Sequence, residues 1–169
     1  MKKYTTKIVI GLISLGFLSS YVISTYKGYK NQNQSITVKD IPFTKEGNLQ
    51  ILDSTETILK NLEIEIANTD YETQTGLMYR STMKENRGML FVFNKEAMHS
   101  FYMRNTKIPL DIIYINKDFE IVSAAKNTIP FDKTSLPSEY PVMYVLEING
   151  GKMDEWNISI GDKIAFTKD

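Results

Sequence analysis

Two acidic side chains sit in apolar company. "FYMRNTKIPLDII" (residues 101–113) sets Asp111 among Ile108, Leu110, Ile112 and Ile113, and "YVLEING" (144–150) sets Glu147 between Leu146 and Ile148. A buried carboxyl group costs several kcal/mol unless it is paired or hydrogen-bonded, so each needs a partner or a task. Brought together across a sheet, the two would form the acid/base pair of an envelope hydrolase or carbohydrate-active enzyme, whose carboxyl groups stand about 5 to 9.5 Å apart. The same two groups would also suit a Ca²⁺ site. Kept apart, Glu147 is an exposed strand carboxylate. Asp111 then has two kinds of partner. One is a bidentate cation: Arg80, which closes "GLMYR" (76–80), or Arg104. The other is the N–H groups of the 105–109 turn ahead of Pro109.

The residues around Asp111 make a second kind of site. On a strand, Phe101 and Tyr102 point to opposite faces, so one enters the core and the other is free to stack on a ligand. Asn105-Thr106 either caps the loop or offers polar contacts to a hydroxylated ligand. Arg80, Tyr102, Asn105, Thr106, Asp111 and Glu147 are therefore the candidate ligand-binding residues of a small polar cleft. His99, the single histidine, reads first as a packing or solvated side chain and second as a general base. With no cysteine and one histidine, a thiolate nucleophile, a Cys- or His-rich metal site and a freely chosen Ser-His-Asp triad are excluded. The methionines beyond the first (78, 83, 89, 98, 103, 143 and 153) form no M-x-M or M-x-x-M cluster. They read as core filling rather than as a Cu(I) site. No G-x-G-x-x-G or Walker-type loop is present. No metal and no cofactor is expected.

The elements that must position these residues are mostly strands. "LQIL" (49–52), "NLEIEIA" (61–67), "MLFVF" (89–93), "SFYMR" (100–104), "LDIIYIN" (110–116), "EIVSAA" (120–125), "VMYVLEI" (142–148) and "DKIAFT" (162–167) carry strand patterns. In 61–67 the alternation puts Glu63 and Glu65 on a wet face, whereas 89–93 is apolar throughout, as in a strand buried on both faces. Thr69 followed by Glu72, with Asp70 in the first turn, predicts a helix over about 70–79. "NKDF" (116–119) is a hairpin turn, Pro130, Pro137 and Pro141 mark a long loop over 127–141, and a short helical piece is expected around 152–156. The fold class is α+β and β-rich: a mostly antiparallel sheet, able to curl into a barrel, with one or two short helices.

Four blocks in order, IEIANTDYETQTGLMYR (64–80), RGMLFVF (87–93), FYMRNTKIPLDIIYI (101–115) and YVLEINGG (144–151), resemble the prokaryotic family called domain of unknown function 192. Its members often follow an export signal or anchor. The resemblance covers about residues 43–167. The family pattern has Trp at the place of Tyr102, Lys at that of Arg104, and an Asp-Gly turn where this chain has Asp118-Phe119. The resemblance implies a compact β-rich fold with a small helical component. It implies no activity, substrate or cofactor.

The chain has 169 residues and zero net charge, distributed unevenly. Residues 1–30 hold five Lys and no acid, leaving residues 31–169 with 15 Lys and Arg against 20 Asp and Glu, a net of −5. Such an acidic domain is a poor surface for nucleic acid. Residues 8–26 carry no charge and as a helix would reach roughly 28 Å, close to the thickness of a bilayer core. With three Lys ahead of them, residues 1–30 read as a signal peptide ending near Ser24 or as an uncleaved membrane anchor. Residues 31–40 read as a linker and 41–169 as a single globular domain. The domain is expected at the cell membrane, facing away from the cytoplasm, or free in the periplasm or outside the cell if the leader is cleaved. Its expected partner is a small molecule or an envelope protein. Three functions follow: a non-enzymatic binding domain with the polar cleft, the hydrolase using Asp111 and Glu147, or a structural domain that recruits a protein.

Overall fold

The computed structural model describes residues 41–169. The leader and linker readings for residues 1–40 lie outside the described residues. Among the described residues, no helix is long and apolar enough to cross a membrane.

Nine strands and two short helices follow one another: β1 Gly47–Leu52, β2 Ile58–Ala67, α1 Asp70–Thr75, β3 Arg87–Ala97, β4 Ser100–Phe101, β5 Leu110–Ile115, β6 Ile121–Ala125, β7 Leu136–Pro137, β8 Val142–Asn149, α2 Lys152–Glu155 and β9 Lys163–Lys168. Seven strands form one sheet in the order β6-β5-β8-β3-β2-β1-β9, and β4 pairs with β7 in a separate ribbon. Within the large sheet every pair is antiparallel except β2 and β3, which run parallel with α1 as their connection. The β-rich α+β expectation holds, with that one βαβ unit added. The sheet curls until the start of β6 meets the start of β9, but the two edges share only the single bridge Glu120↔Lys163. The barrel is therefore not closed.

Side-chain alternation gives the sheet two apolar faces. Leu62, Ile64, Ile66, Leu90, Ile113, Ile115, Leu146 and Ile148 pack on one, with Met153 and Trp156 from the α2 region over them. Met89, Phe91, Leu110, Ile112, Tyr114 and Val145 line the other, covered by Leu77 and Met103. β5 is buried at all six positions, which is why "LDIIYI" shows no wet face.

Three local outcomes differ from expectation. The helix expected to Tyr79 stops at Thr75, because Gly76 takes φ 48° as its C-cap. The Thr69/Glu72 capping box is present at its start. The strand expected over 100–104 is reduced to Ser100–Phe101, whose partner is Leu136–Pro137 inside the long proline loop. Glu65, expected on a wet face, is buried, because Arg80 lies over that end of β2.

Candidate functional site

Register places the key acids. Across the sheet, Ile112 faces Glu147, Glu147 faces Met89, and Met89 faces Glu65. The two glutamates thus share one face, two strand spacings or roughly 10 Å apart, with Met89 between them. Asp111 faces Ile148, on the opposite side of the same sheet. The acid/base pair of Asp111 and Glu147 does not form, and neither does a Ca²⁺ site built on the two.

Asp111 is fully buried, and its hydrogen bonds all come from backbone. Oδ1 accepts from the N–H of Asn127 at 2.6 Å and of Gly151 at 3.0 Å, and Oδ2 accepts from that of Met153 at 2.7 Å. Neither Arg80, Arg104 nor the 105–109 turn is its partner. The carboxyl group instead ties the segment after β6 to the start of α2, whose N-cap, Gly151, has no capping side chain of its own. It is a long-range cap, withdrawn from any cleft.

Arg80 pairs with Glu65. Its Nη2 donates to Oε1 at 2.9 Å and its Nη1 lies 2.5 Å from Oε2, both side chains being buried. Glu65 Oε1 also accepts from Thr44 N–H at 3.0 Å. The bidentate fork holds the chain after α1 against β2.

Glu147 is 6% exposed and accepts one backbone hydrogen bond, from Leu77 N–H. Its Oε2 has no hydrogen-bond partner. Burial pushes its carboxyl up to about 8, against the smaller lowering effects of that N–H and of the Arg80 charge. At neutral pH the group is a protonated, uncharged acid. Burial first, and the Glu147 carboxyl second, also raise the Tyr114 phenol above its ordinary value.

A cleft of about 220 Å³ opens above Glu147. The end of α1 and the turn after it form one wall, Phe91 and Phe93 from β3 form the back, and residues 99–102 with Thr106 form the far side. The aromatic rings are locked together. Phe101 meets Phe91 edge-on at 4.9 Å between centroids, and Phe93 stacks on His99 at 3.6 Å. His99 Nε2 is buried and also has no hydrogen-bond partner, and desolvation lowers the imidazole below its ordinary value. Gly76 brings the wall close. A Cβ there would lie 3.0 Å from Phe91 Cζ and 3.5 Å from Glu147 Oε2.

Of the six candidate residues, Tyr102, Thr106 and Glu147 line this cleft, with Tyr102 at its rim, 44% exposed. Asn105 stands behind the wall. Its carbonyl accepts from Tyr79 N–H and its Nδ2 donates to Tyr79 Oη, each at 2.9 Å. Both residues have positive φ, 61° and 66°, a conformation Asn tolerates better than most side chains. Arg80 acts from beneath through its charge, and Asp111 is not part of the group. Sequence reasoning missed Glu65, Gly76, Phe91 and Phe93, and read His99 first as a packing or solvated side chain and only second as a general base. The glycine was legible as a helix stop. Glu147 sits within "VMYVLEI", a near-continuous apolar run that signals burial on both faces.

A family model described as uncharacterized ACR, domain of unknown function 192, matches residues 51–166. Two crystal structures are similar. A protein of unknown function from Novosphingobium aromaticivorans shares 37% identity over 70% of this chain and 83% of its own, with a TM-score of 0.66. A protein from Sinorhizobium meliloti described as a candidate transcription regulator shares 31% identity over 75% of this chain and 97% of its own, with a TM-score of 0.70. None of the curated proteins compared with the chain matches it.

Proposed function

The chain belongs to the domain of unknown function 192 family, and on that premise we propose that its globular part is a small-molecule binding domain, with the ligand seated in the cleft over Glu147. One observation carries this reading: a buried carboxyl oxygen with no hydrogen-bond partner belongs to a residue that lines the cleft. A polar group left in that state costs about 1–3 kcal/mol, a cost that a ligand making the missing bond relieves. The rest of the cleft suits such a role. Phenylalanines supply contact area, and a few polar groups (His99, Tyr102, Thr106) fix orientation. A hydrolase built on Asp111 and Glu147 is disfavoured, since the two project from opposite faces of the sheet. The regulator role described for the Sinorhizobium protein is not carried over, because residues 31–169 are acidic. The basic, then uncharged, leader supports a domain exported or held at the membrane with its cleft outside the cytoplasm. An alkaline phosphatase fusion at residue 40 tests that, being active only if exported.

The binding reading is tested by thermal shift of the full chain against sugars, peptidoglycan fragments and nucleotides, alongside Glu147→Leu. A ligand at about 100 times its dissociation constant adds about 2.7 kcal/mol, a rise of several degrees. One compound class is expected to raise the midpoint of the wild type and not of the variant. If no class does, the binding reading fails, and recruitment of an envelope protein takes its place.

A further inference from the structure

The kind of ligand can be read from the same cleft, and this step rests on the binding reading above. We infer that the cleft over Glu147 takes an uncharged ligand of single-ring size, one that offers a hydrogen-bond acceptor to Glu147 and a flat face to the phenylalanine walls.

Size comes first. The cleft volume is about 220 Å³. That is below the ~300–1,000 Å³ of pockets for drug-sized ligands. One ring with a small substituent fills it, and a longer molecule would have to leave the rest in solvent. The walls set the shape of that ring. Phe91, Phe93 and Phe101 are fixed by contacts with one another or with His99, so they offer a preformed slot for a planar or chair-like apolar face.

The polar groups set the charge. No Lys or Arg lines the cleft, and both terminal nitrogens of Arg80 are engaged by Glu65. An anionic ligand would lose its hydration without gaining a counter-ion. Four buried side-chain polar atoms among the described residues lack a hydrogen-bond partner, and the two on residues lining this cleft are Glu147 Oε2 and His99 Nε2. Leu77 N–H already serves the Glu147 carboxyl, so in the protonated acid the free Oε2 is a hydroxyl ready to donate. A carbonyl, ether or hydroxyl oxygen is its complement. A cation would call for the ionised carboxylate instead. With Glu147 titrating at about 8, that form is about 30-fold scarcer than the acid at pH 6.5, and a cation's affinity falls by the same factor.

Three nearly isosteric probes decide among the charges: benzamide (neutral), benzoate (anionic) and benzamidinium (cationic). Dissociation constants are measured by ligand-observed NMR on the full chain at pH 6.5. Benzamide is expected to bind at least tenfold more tightly than either ion. Glu147→Leu should lose that binding, and Glu147→Gln, which keeps an uncharged donor, should retain it within about threefold. If Glu147→Leu does not fold, the Gln variant and the ranking of the probes still decide. Benzoate or benzamidinium binding as well as benzamide overturns the uncharged-ligand inference and leaves the binding reading standing, since the cleft is still occupied. Failure of benzamide to bind also overturns the inference, while the binding reading is judged by the thermal-shift screen.

Discussion

Replacing Glu147 by Gln gives the most direct check on the electrostatics of the cleft. The side chains are isosteric, and Gln can still accept the Leu77 N–H, so packing is unchanged and only the titration is removed. Glu147 is raised from 4.5 to about 8 in the folded protein. Its protonated form therefore favours the native state. That contribution is complete below pH 4.5 and is lost as pH rises through about 8. His99 works in the opposite sense: desolvation lowers its imidazole from 6.5, so its contribution is present above 6.5 and is lost as pH falls below 6.5 through the lowered value. The carboxyls held low, Asp53, Glu72, Asp132 and Glu155, lose their contributions only as pH falls below about 4.5. Tyr114, Lys117 and Lys152 are raised from values of 10 or more. The charged or titratable groups facing Glu147 are Arg80 with its partner Glu65, Tyr114, His99 and Tyr102. The window from pH 6.5 to 9 thus belongs to Glu147. About 1.5 pKa units fall inside it, worth about 2 kcal/mol at 1.36 kcal/mol per unit. Thermal unfolding of the wild type followed by circular dichroism should show a midpoint falling by roughly 5–10 °C across that window. In Glu147→Gln the midpoint should stay level. A wild-type midpoint that does not move, or a variant that falls in parallel, would refute the buried neutral acid.

Asp111→Asn keeps the shape but turns one acceptor oxygen into a donor facing backbone N–H groups. It should cost about 2–4 kcal/mol in urea unfolding and leave ligand affinity within twofold wherever the variant remains folded. Arg80→Met leaves Glu65 buried without its cation, and a loss of about 3–5 kcal/mol is expected. Adding Glu65→Leu should recover most of that loss, and a double-mutant cycle reads the difference. Gly76→Ala forces a side chain into φ 48° within 3.0 Å of Phe91 Cζ. It should cost about 1–3 kcal/mol, and crystallography should show the Phe91 ring displaced into the cleft.

Most strands were legible because their apolar alternation is local, and local pattern is what a sequence displays. The capping box at Thr69 and the hairpin turn at Asn116 are local in the same way. Partner choice is not local. Asp111 finds its donors 16, 40 and 42 residues away, where nothing in the sequence marks Asn127, Gly151 and Met153 as a set. Arg80 was offered as a cation for Asp111, yet its carboxylate is Glu65, which looked solvated because β2 alternates like a half-exposed strand. The far side of the cleft includes Ser100 and Phe101 of β4, which pair with β7 inside a proline-rich loop, a contact that propensity does not encode. Tyr102, Thr106 and Glu147 were chosen for their chemistry, and the cleft gathers them. Asp111 was chosen on the same grounds and works as a structural tie.

β1 is the first strand of the described domain and β9 the last, and the sheet sets them side by side from Gly47↔Lys168 to Leu52↔Lys163. No amount of the preceding chain can substitute for that final edge. Completion of the sheet has to wait until β9 is free of the machinery that makes or moves it. Pairings so distant in sequence also make closure slow. For any polypeptide that must be threaded through a narrow channel, delay of this kind is useful, because β1 lacks its second neighbour until β9 has followed it across.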